Sequence, residues 1–441
     1  MSDPQIQNPE VKESLKVSLL DGIFACLMTG FTQDYFAPFL LLIGATAQDI
    51  GMLNAVPSLA GALVQFNSAD MVEKVRSRRR IICWFVFCQA LTLLPMAFLA
   101  MSGKGSPAIF IGLVTVFVSL GAFAVPAWSS LMSDLVPAES RGAYFGWRNR
   151  LLGSVMVTAT FAAGIGLHLM RKVNIFWAFT LIFFCAFGFR LVSCYFLSRM
   201  YEPALECDNK DRFTFRDFIG RLKVSNFAQF VVFVALMNFC VYMASPFFSV
   251  LMLRDLRFSY LLYSLITVAA TITLYATMGR WGRLADKVGN LRVLRFVAPF
   301  IGLIPWLWVI NRSPLFLVFA QAVSGFLWAG FNLCASNFIY DAVSPAKRAR
   351  CVAYFNVLNG AAIFCGAGLG GFLLRILPAV DGYKILTLLL ISGGLRMMVG
   401  LLGPLRLKEV RPVEILTSKE LFWSVIGIKP LLGVDRRAVR Y

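Results

Sequence analysis

The second half of this chain repeats the first. Asp134, Val136, Arg141, Asn149, Leu151 and Gly153 recur as Asp341, Val343, Arg348, Asn356, Leu358 and Gly360, at a constant offset of 207. Pro38-Phe39 matches Pro246-Phe247 at 208, and Gly188-x-Arg190 matches Gly394-x-Arg396 at 206. A drift of one residue is what small loop insertions leave behind. In an apolar chain, a repeat this long points to duplicated bundles of membrane helices, which characteristically enclose a substrate site at their interface.

The composition supports membrane helices. Hydrophobic residues make up 59% of the chain and charged residues 15%, where a soluble protein carries about a quarter charged. Apolar stretches long enough to cross a bilayer are expected near 17–42, 51–69, 80–102, 108–132, 146–169, 175–197, 226–252, 258–280, 293–311, 314–338, 354–376 and 383–405, six per repeat. The expected organisation is a polar N-terminal tail (1–16), a six-helix bundle (17–200), a charged linker (201–225), a second six-helix bundle (226–405) and a C-terminal tail (406–441). Within the linker, Phe213–Leu222 has the character of a short interfacial helix. In the tail, Leu421, Phe422, Trp423, Val425, Ile426 and Ile428 stand among Lys419, Lys429, Arg436 and Arg437, a mixture suited to the inner leaflet.

The net charge of +19 does not indicate nucleic acid, because its distribution follows topology. With the N-terminus cytoplasmic, the cytoplasmic segments hold 32 of the 42 Lys and Arg, including Lys74, Arg76, Arg78, Arg79 and Arg80. The other side holds eight, and Arg190 and Arg396 lie within spans. This positive-inside bias predicts both termini in the cytoplasm and contact with anionic lipid. The ten cysteines are scattered, with no C-x-x-C pair, so free thiols are expected, with neither metal nor cofactor. The first span is too long for a signal-peptide core and belongs to the repeat, so it is expected to remain in the mature protein. The sequon Asn311-Arg312-Ser313 lies too close to the membrane for glycosylation to be expected.

Between spans eight and nine stands G-R-L-A-D-K-V-G-N-L-R. Its Gly282, Leu284, Ala285, Asp286, Lys287, Gly289 and Arg292 resemble the loop signature of the major facilitator superfamily, and with the repeat and topology the resemblance covers about 390 residues. It implies an all-α membrane protein of twelve transmembrane helices in two six-helix bundles related by pseudo-twofold symmetry. It also implies that this loop is a cytoplasmic latch between conformations. The two glycines permit a tight turn and close helix approach, and Asp286 suits a helix N-terminus. The first-half counterpart, F-N-S-A-D-M-V-E-K-V-R, keeps Ala69 and Asp70 but has Phe66 and Glu73 in place of the glycines. After spans four and ten, Asp134 with Arg141 and Asp341 with Arg348 resemble the family's second gate loop, their charges placed to pair with those of the neighbouring latch.

In the family, helices one, four, seven and ten line a central cavity. Polar and aromatic candidates on them are Gln33, Asp34, Tyr35, Trp128, Ser129, Asn238, Tyr242, Gln321, Trp328 and Asn332. Asp34 has Tyr242 at its repeat position, and such a departure from symmetry makes it the candidate coupling carboxylate. Asp21 is expected at the headgroups, and Arg190 and Arg396, close enough to the cytoplasmic end to snorkel, are expected to have a structural or lipid-anchoring role. Spans five and eleven carry Gly164, Gly166, Gly366, Gly368, Gly370 and Gly371 for close packing, without the Gly-Pro pair of the family's antiporter signature. The chain has no P-loop, no H-E-x-x-H and a single histidine, His168, so an enzyme is not expected. The expected protein is a monomeric secondary transporter in a bacterial cytoplasmic membrane. It would move a small organic solute, neutral or cationic, with protons or another cation. Alternatives are an exporter of amphipathic compounds or lipids, and a non-transporting receptor or assembly factor on the same scaffold.

Overall fold

The computed structural model describes residues 9–75, 77–136, 141–171, 173–203, 220, 225–343 and 345–410, though not the side chains of 66–70, 72–74, 141–143, 340 and 345–350. The interfacial segments expected at 213–222 and 421–428 fall outside what is described, apart from Gly220. The rest is helical. We number the long helices α1 (Pro9–Leu42), α2 (Ala47–Val75), α3 (Arg78–Ser102), α4 (Pro107–Leu135), α5 (Arg141–Met170) and α6 (Ile175–Ser198). The second half supplies α7 (Asn226–Asp255), α8 (Tyr260–Val288), α9 (Asn290–Ile310), α10 (Pro314–Ala342), α11 (Pro345–Ile376) and α12 (Lys384–Leu402). Each expected span has its helix, and several helices run past the apolar stretch at the end that carries the chain termini.

Eleven of these are long and apolar enough to cross a membrane. The exception, α2, is more polar for a structural reason. Its Gln65 accepts a hydrogen bond from Asn356 Nδ2 (2.8 Å) and its Gln48 accepts one from Arg375, both across to α11. Asp49 and Thr46 form a reciprocal cap at its start, with Thr46 N–H donating to Asp49 Oδ2 at 2.8 Å. Large apolar side chains such as Trp84, Phe98, Ile109, Leu169 and Phe319 are exposed, the reverse of a soluble protein. The chain is an integral multi-pass membrane protein.

The cores show how the bundles meet. At the end away from the termini, one continuous core takes residues from all twelve helices, from Phe36, Phe39 and Phe183 to Phe247, Tyr263, Trp308 and Leu389. At the terminal end there are two separate cores. One is built from α3, α4 and α6 around Ile82, Leu131 and Leu197, the other from α7 to α11 around Phe230, Trp281 and Phe338. Among the described residues, the bundles thus share one core at one end and have separate cores at the other.

The bundles touch along two seams, α2 with α11 and α5 with α8, and the repeat explains why they match. At Gly360 a Cβ would stand 2.5 Å from Ala62 Cβ and 2.9 Å from the Ser58 carbonyl oxygen. At its repeat partner Gly153 it would stand 2.7 Å from the Tyr275 ring. Gly164 against Ser264 and Gly371 against Gln48 form a second matched pair. Much of the residue identity between the halves therefore encodes the contact between them, where only the absence of a side chain allows so close an approach.

Both bundles also share a broken first helix. Pro38 and Pro246 remove a backbone donor, and the helices unwind there: α1 into a 3₁₀ turn at Gln33–Tyr35, α7 into turns before Phe247. In α7 the carbonyls beside the break are taken by α12. Ser392 Oγ donates to Cys240 O (2.6 Å) and Arg396 donates to Val241 O (3.0 Å). Arg396 is 2% exposed, so it does not snorkel to the surface. Arg190 likewise turns inward, donating to Gln89 Oε1 (2.8 Å) and Ser193 Oγ (3.1 Å). Asp21 is buried rather than at the headgroups, where it accepts from Ser193 Oγ at 2.6 Å. In an apolar bundle these groups are held by one another because water is not available to them.

Candidate functional site

The ten residues expected to line a central cavity lie on α1, α4, α7 and α10. On α10, Gln321, Trp328 and Asn332 recur at helical spacing on one stripe; Asn332 is exposed and the other two half-buried. On α4, Ser129 is exposed and Trp128 half-buried. On α7, Asn238 and Tyr242 lie one turn apart, both half-buried. On α1, Gln33 is exposed, Asp34 half-buried and Tyr35 fully buried.

Tyr35 belongs to a lock at the closed end. Its hydroxyl meets Ser264 Oγ of α8 at 2.8 Å and donates to the Thr160 carbonyl of α5. One residue away, the Tyr263 hydroxyl donates to the Asp34 carbonyl at 2.8 Å. That carbonyl lies four residues before Pro38 and so has lost its helical donor; the opposite bundle supplies one. The Asp34 carboxylate meets only the Thr160 hydroxyl, at 3.5 Å. It takes part in none of the ion pairs among the described residues.

The first-bundle wall contains a cation that sequence reasoning passed over. Arg148 on α5 is 6% exposed, donates to Ser18 O (3.1 Å) and lies over the Trp128 ring at 4.9 Å, a cation–π contact strengthened by desolvation. Its repeat position holds Phe355, an asymmetry that marks it. Asn359 was also passed over: its Oδ1 accepts from Asn238 Nδ2 at 2.7 Å.

At the terminal end each bundle fastens the start of its third helix. In the first, Arg78, 1% exposed, donates to Asp134 Oδ2 (2.5 Å), Ser130 Oγ (3.2 Å) and Pro203 O (3.0 Å). Glu202 accepts from Arg78 N–H (2.5 Å) and Ser77 Oγ (2.7 Å), a carboxylate at a helix N-terminus as the macrodipole favours. In the second, Asn290 takes the place of Arg78 and donates to Asp341 Oδ2 (2.9 Å), while Glu409 accepts from Leu291 N–H (2.7 Å). Glu202 and Glu409 are 207 apart, the offset of the other gate residues, and that spacing was the signal for them.

Of the latch residues, Asp286 is exposed on the last turn of α8, Lys287 and Gly282 are half-buried, and Arg292 is half-buried on the first turn of α9. Gly289 has φ +91°, a conformation disfavoured for residues with a Cβ, and turns the chain from α8 into α9. A Cβ at Gly282 would make ordinary contact with Leu333 at 3.6 Å, so close approach does not require that glycine. Asp70 lies in the helical run of α2, and Arg141 and Arg348 near the starts of α5 and α11; their side chains are outside what is described.

Two six-helix bundles with one core shared by all twelve helices and two separate ones are the architecture to be compared with known proteins. The model of the Major Facilitator Superfamily matches residues 230–432. The whole chain has the fold of the nucleoside transporter NupG, with a TM-score of 0.68 and 14% identity over 90% of this chain and 100% of that one. A point variant of NupG gives 0.68 and 15%, over 88% and 98%. A bacterial homolog of the human lysosomal transporter Spinster, inward-facing and unoccupied, gives 0.59 and 13%, over 89% and 98%. No curated protein matches the chain by sequence. The second half of the chain thus matches the Major Facilitator Superfamily, and the chain shares the fold of these transporters.

Proposed function

We propose that this protein is a secondary active transporter that moves a small organic solute across a cytoplasmic membrane by alternating access, coupled to an ion gradient. The observation that carries the reading is the pairing, among the described residues, of one core shared by all twelve helices with two separate ones; the polar positions of α1, α4, α7 and α10 would line a vestibule between those two. With the basic, terminal end in the cytoplasm, this is the inward-open state, and the fastened third-helix starts and the latch loop govern its closure. The amide and aromatic lining suits an uncharged solute; NupG, by its description, transports nucleosides, which are of that kind. Gradient-driven accumulation by the purified protein in proteoliposomes tests the reading. Absence of accumulation across a broad solute panel favours a receptor or assembly role on the same scaffold.

Two expectations follow from this orientation. A cysteine introduced at Asp208, in the linker, is labelled by an impermeant thiol reagent in inverted vesicles and stays unlabelled in intact cells; the reverse pattern overturns the orientation. Asp286→Asn lowers the transport rate several-fold while solute affinity stays within about twofold, because the change weakens a hydrogen-bond acceptor remote from the vestibule. Lost affinity with a normal rate removes Asp286 from the latch.

A further inference from the structure

We propose that the Asn238–Asn359 amide pair is the recognition edge for an uncharged solute that carries a hydrogen-bond donor beside an acceptor, as an amide or a nucleobase face does. This rests on the transporter reading above and narrows it to a substrate class. The first argument is cost. Two carboxamides in an apolar bundle are expensive unless they are used. The repeat shows that packing does not require them. Their equivalents in the first bundle are Gly30 and Leu152, and there α1 and α5 meet through Gly30 against Ala159 with no amide at either position.

The second argument is direction. Asn359 Nδ2 donates to the Phe355 carbonyl at 2.9 Å, which turns its Oδ1 toward Asn238. Asn238 Nδ2 donates one N–H to that oxygen at 2.7 Å. The Asn238 side chain is thereby oriented, with its own Oδ1 and its second N–H remaining. Those two atoms form one planar acceptor–donor edge on a half-buried residue of a vestibule helix. Such an edge pairs with a complementary donor–acceptor edge, as asparagine does with adenine.

The third argument is charge. Along α7 from Asn226 to Leu253, and along α11 from Cys351 to Leu374, the sequence holds no Asp, Glu, Lys or Arg. An ionic solute would meet no counter-charge on either helix. One turn beyond Asn238, Tyr242 offers a half-buried ring for stacking.

The test uses the full chain in proteoliposomes with five radiolabelled probes: uridine and nicotinamide, which carry the matching edge; glucose, which has hydroxyls only; choline, a cation; and lactate, an anion. The expected result is saturable uptake of uridine or nicotinamide by the wild type. Asn359→Leu, which copies the first bundle, then raises the KM for that probe at least tenfold with an unchanged melting temperature. Asn359→Gln, which keeps an amide, retains more of the affinity. An unchanged KM in Asn359→Leu overturns the proposal, as does refusal of both edge-bearing probes, whether or not another probe is taken up. The transporter reading fails separately. It requires a cysteine at Gln33 to become reachable from both sides of the membrane, and access from one side only under all gradients sinks it irrespective of the probe.

Discussion

Asp34→Asn is expected to abolish gradient-driven accumulation while leaving solute counterflow intact. Asp34 sits where α1 is broken, half-buried beside the proposed vestibule, with a weak contact to the Thr160 hydroxyl and no ion pair among the described residues. A carboxylate held this way has room to take up a proton or another cation from one side and give it back on the other. Asparagine keeps the size of the group and fixes its charge at zero, as if permanently loaded. Exchange needs only the loaded carrier to move between its two faces; accumulation needs the coupling group to discharge. Proteoliposomes with and without an imposed gradient separate the two. Wild-type accumulation by a folded Asp34→Asn protein would remove Asp34 from the mechanism.

The second large effect is expected from the lock. The double variant Tyr35→Phe, Tyr263→Phe removes two bonds that cross between bundles at the closed end, to Ser264 Oγ and to the Asp34 carbonyl. Each is worth about 1 kcal/mol, so together they shift the equilibrium toward the outward-open state by roughly 30-fold. The sign follows from where the bonds are: they exist only while that end is shut. An impermeant thiol reagent applied from the outside should label a cysteine at Gln33 correspondingly faster in the double variant. An unchanged labelling rate would show that apolar packing around Phe36, Phe39 and Phe247 alone holds the end closed.

The parts of this architecture that repeat were readable in advance; the parts that join unlike elements were not. The helices follow from apolar length, and the Asp134 and Asp341 gates and the glycines of α5 and α11 from the offset of 207. Glu202 and Glu409 share that offset, yet Glu202 looked like one more charge in a polar linker, because nothing local shows that it returns to the start of α3. Tyr263 and Ser264 lie near the start of α8 with no neighbour in sequence to mark them. At the offset that aligns Asp286 with Asp70, their repeat positions are Ala47 and Gln48, so only the asymmetry distinguishes them. Depth placed Asp21 at the headgroups and left Arg190 and Arg396 between a structural and a lipid-anchoring role. Depth does not reveal that a broken helix next door has carbonyls to be satisfied, or that a serine stands between an aspartate and an arginine.

The clasps formed by Glu202 and Glu409 bear on how the two halves work as mechanical parts. Each carboxylate stands just past the last helix of its own half and ties that helix end to the start of the third. Each half is therefore closed on itself by its own chain. Compliance is then concentrated in two glycine seams, α2 with α11 and α5 with α8, which lie at matched positions and so yield together. Under the proposed rocking of the halves, a change at one carboxylate would be carried through these two seams into the swing of a whole half.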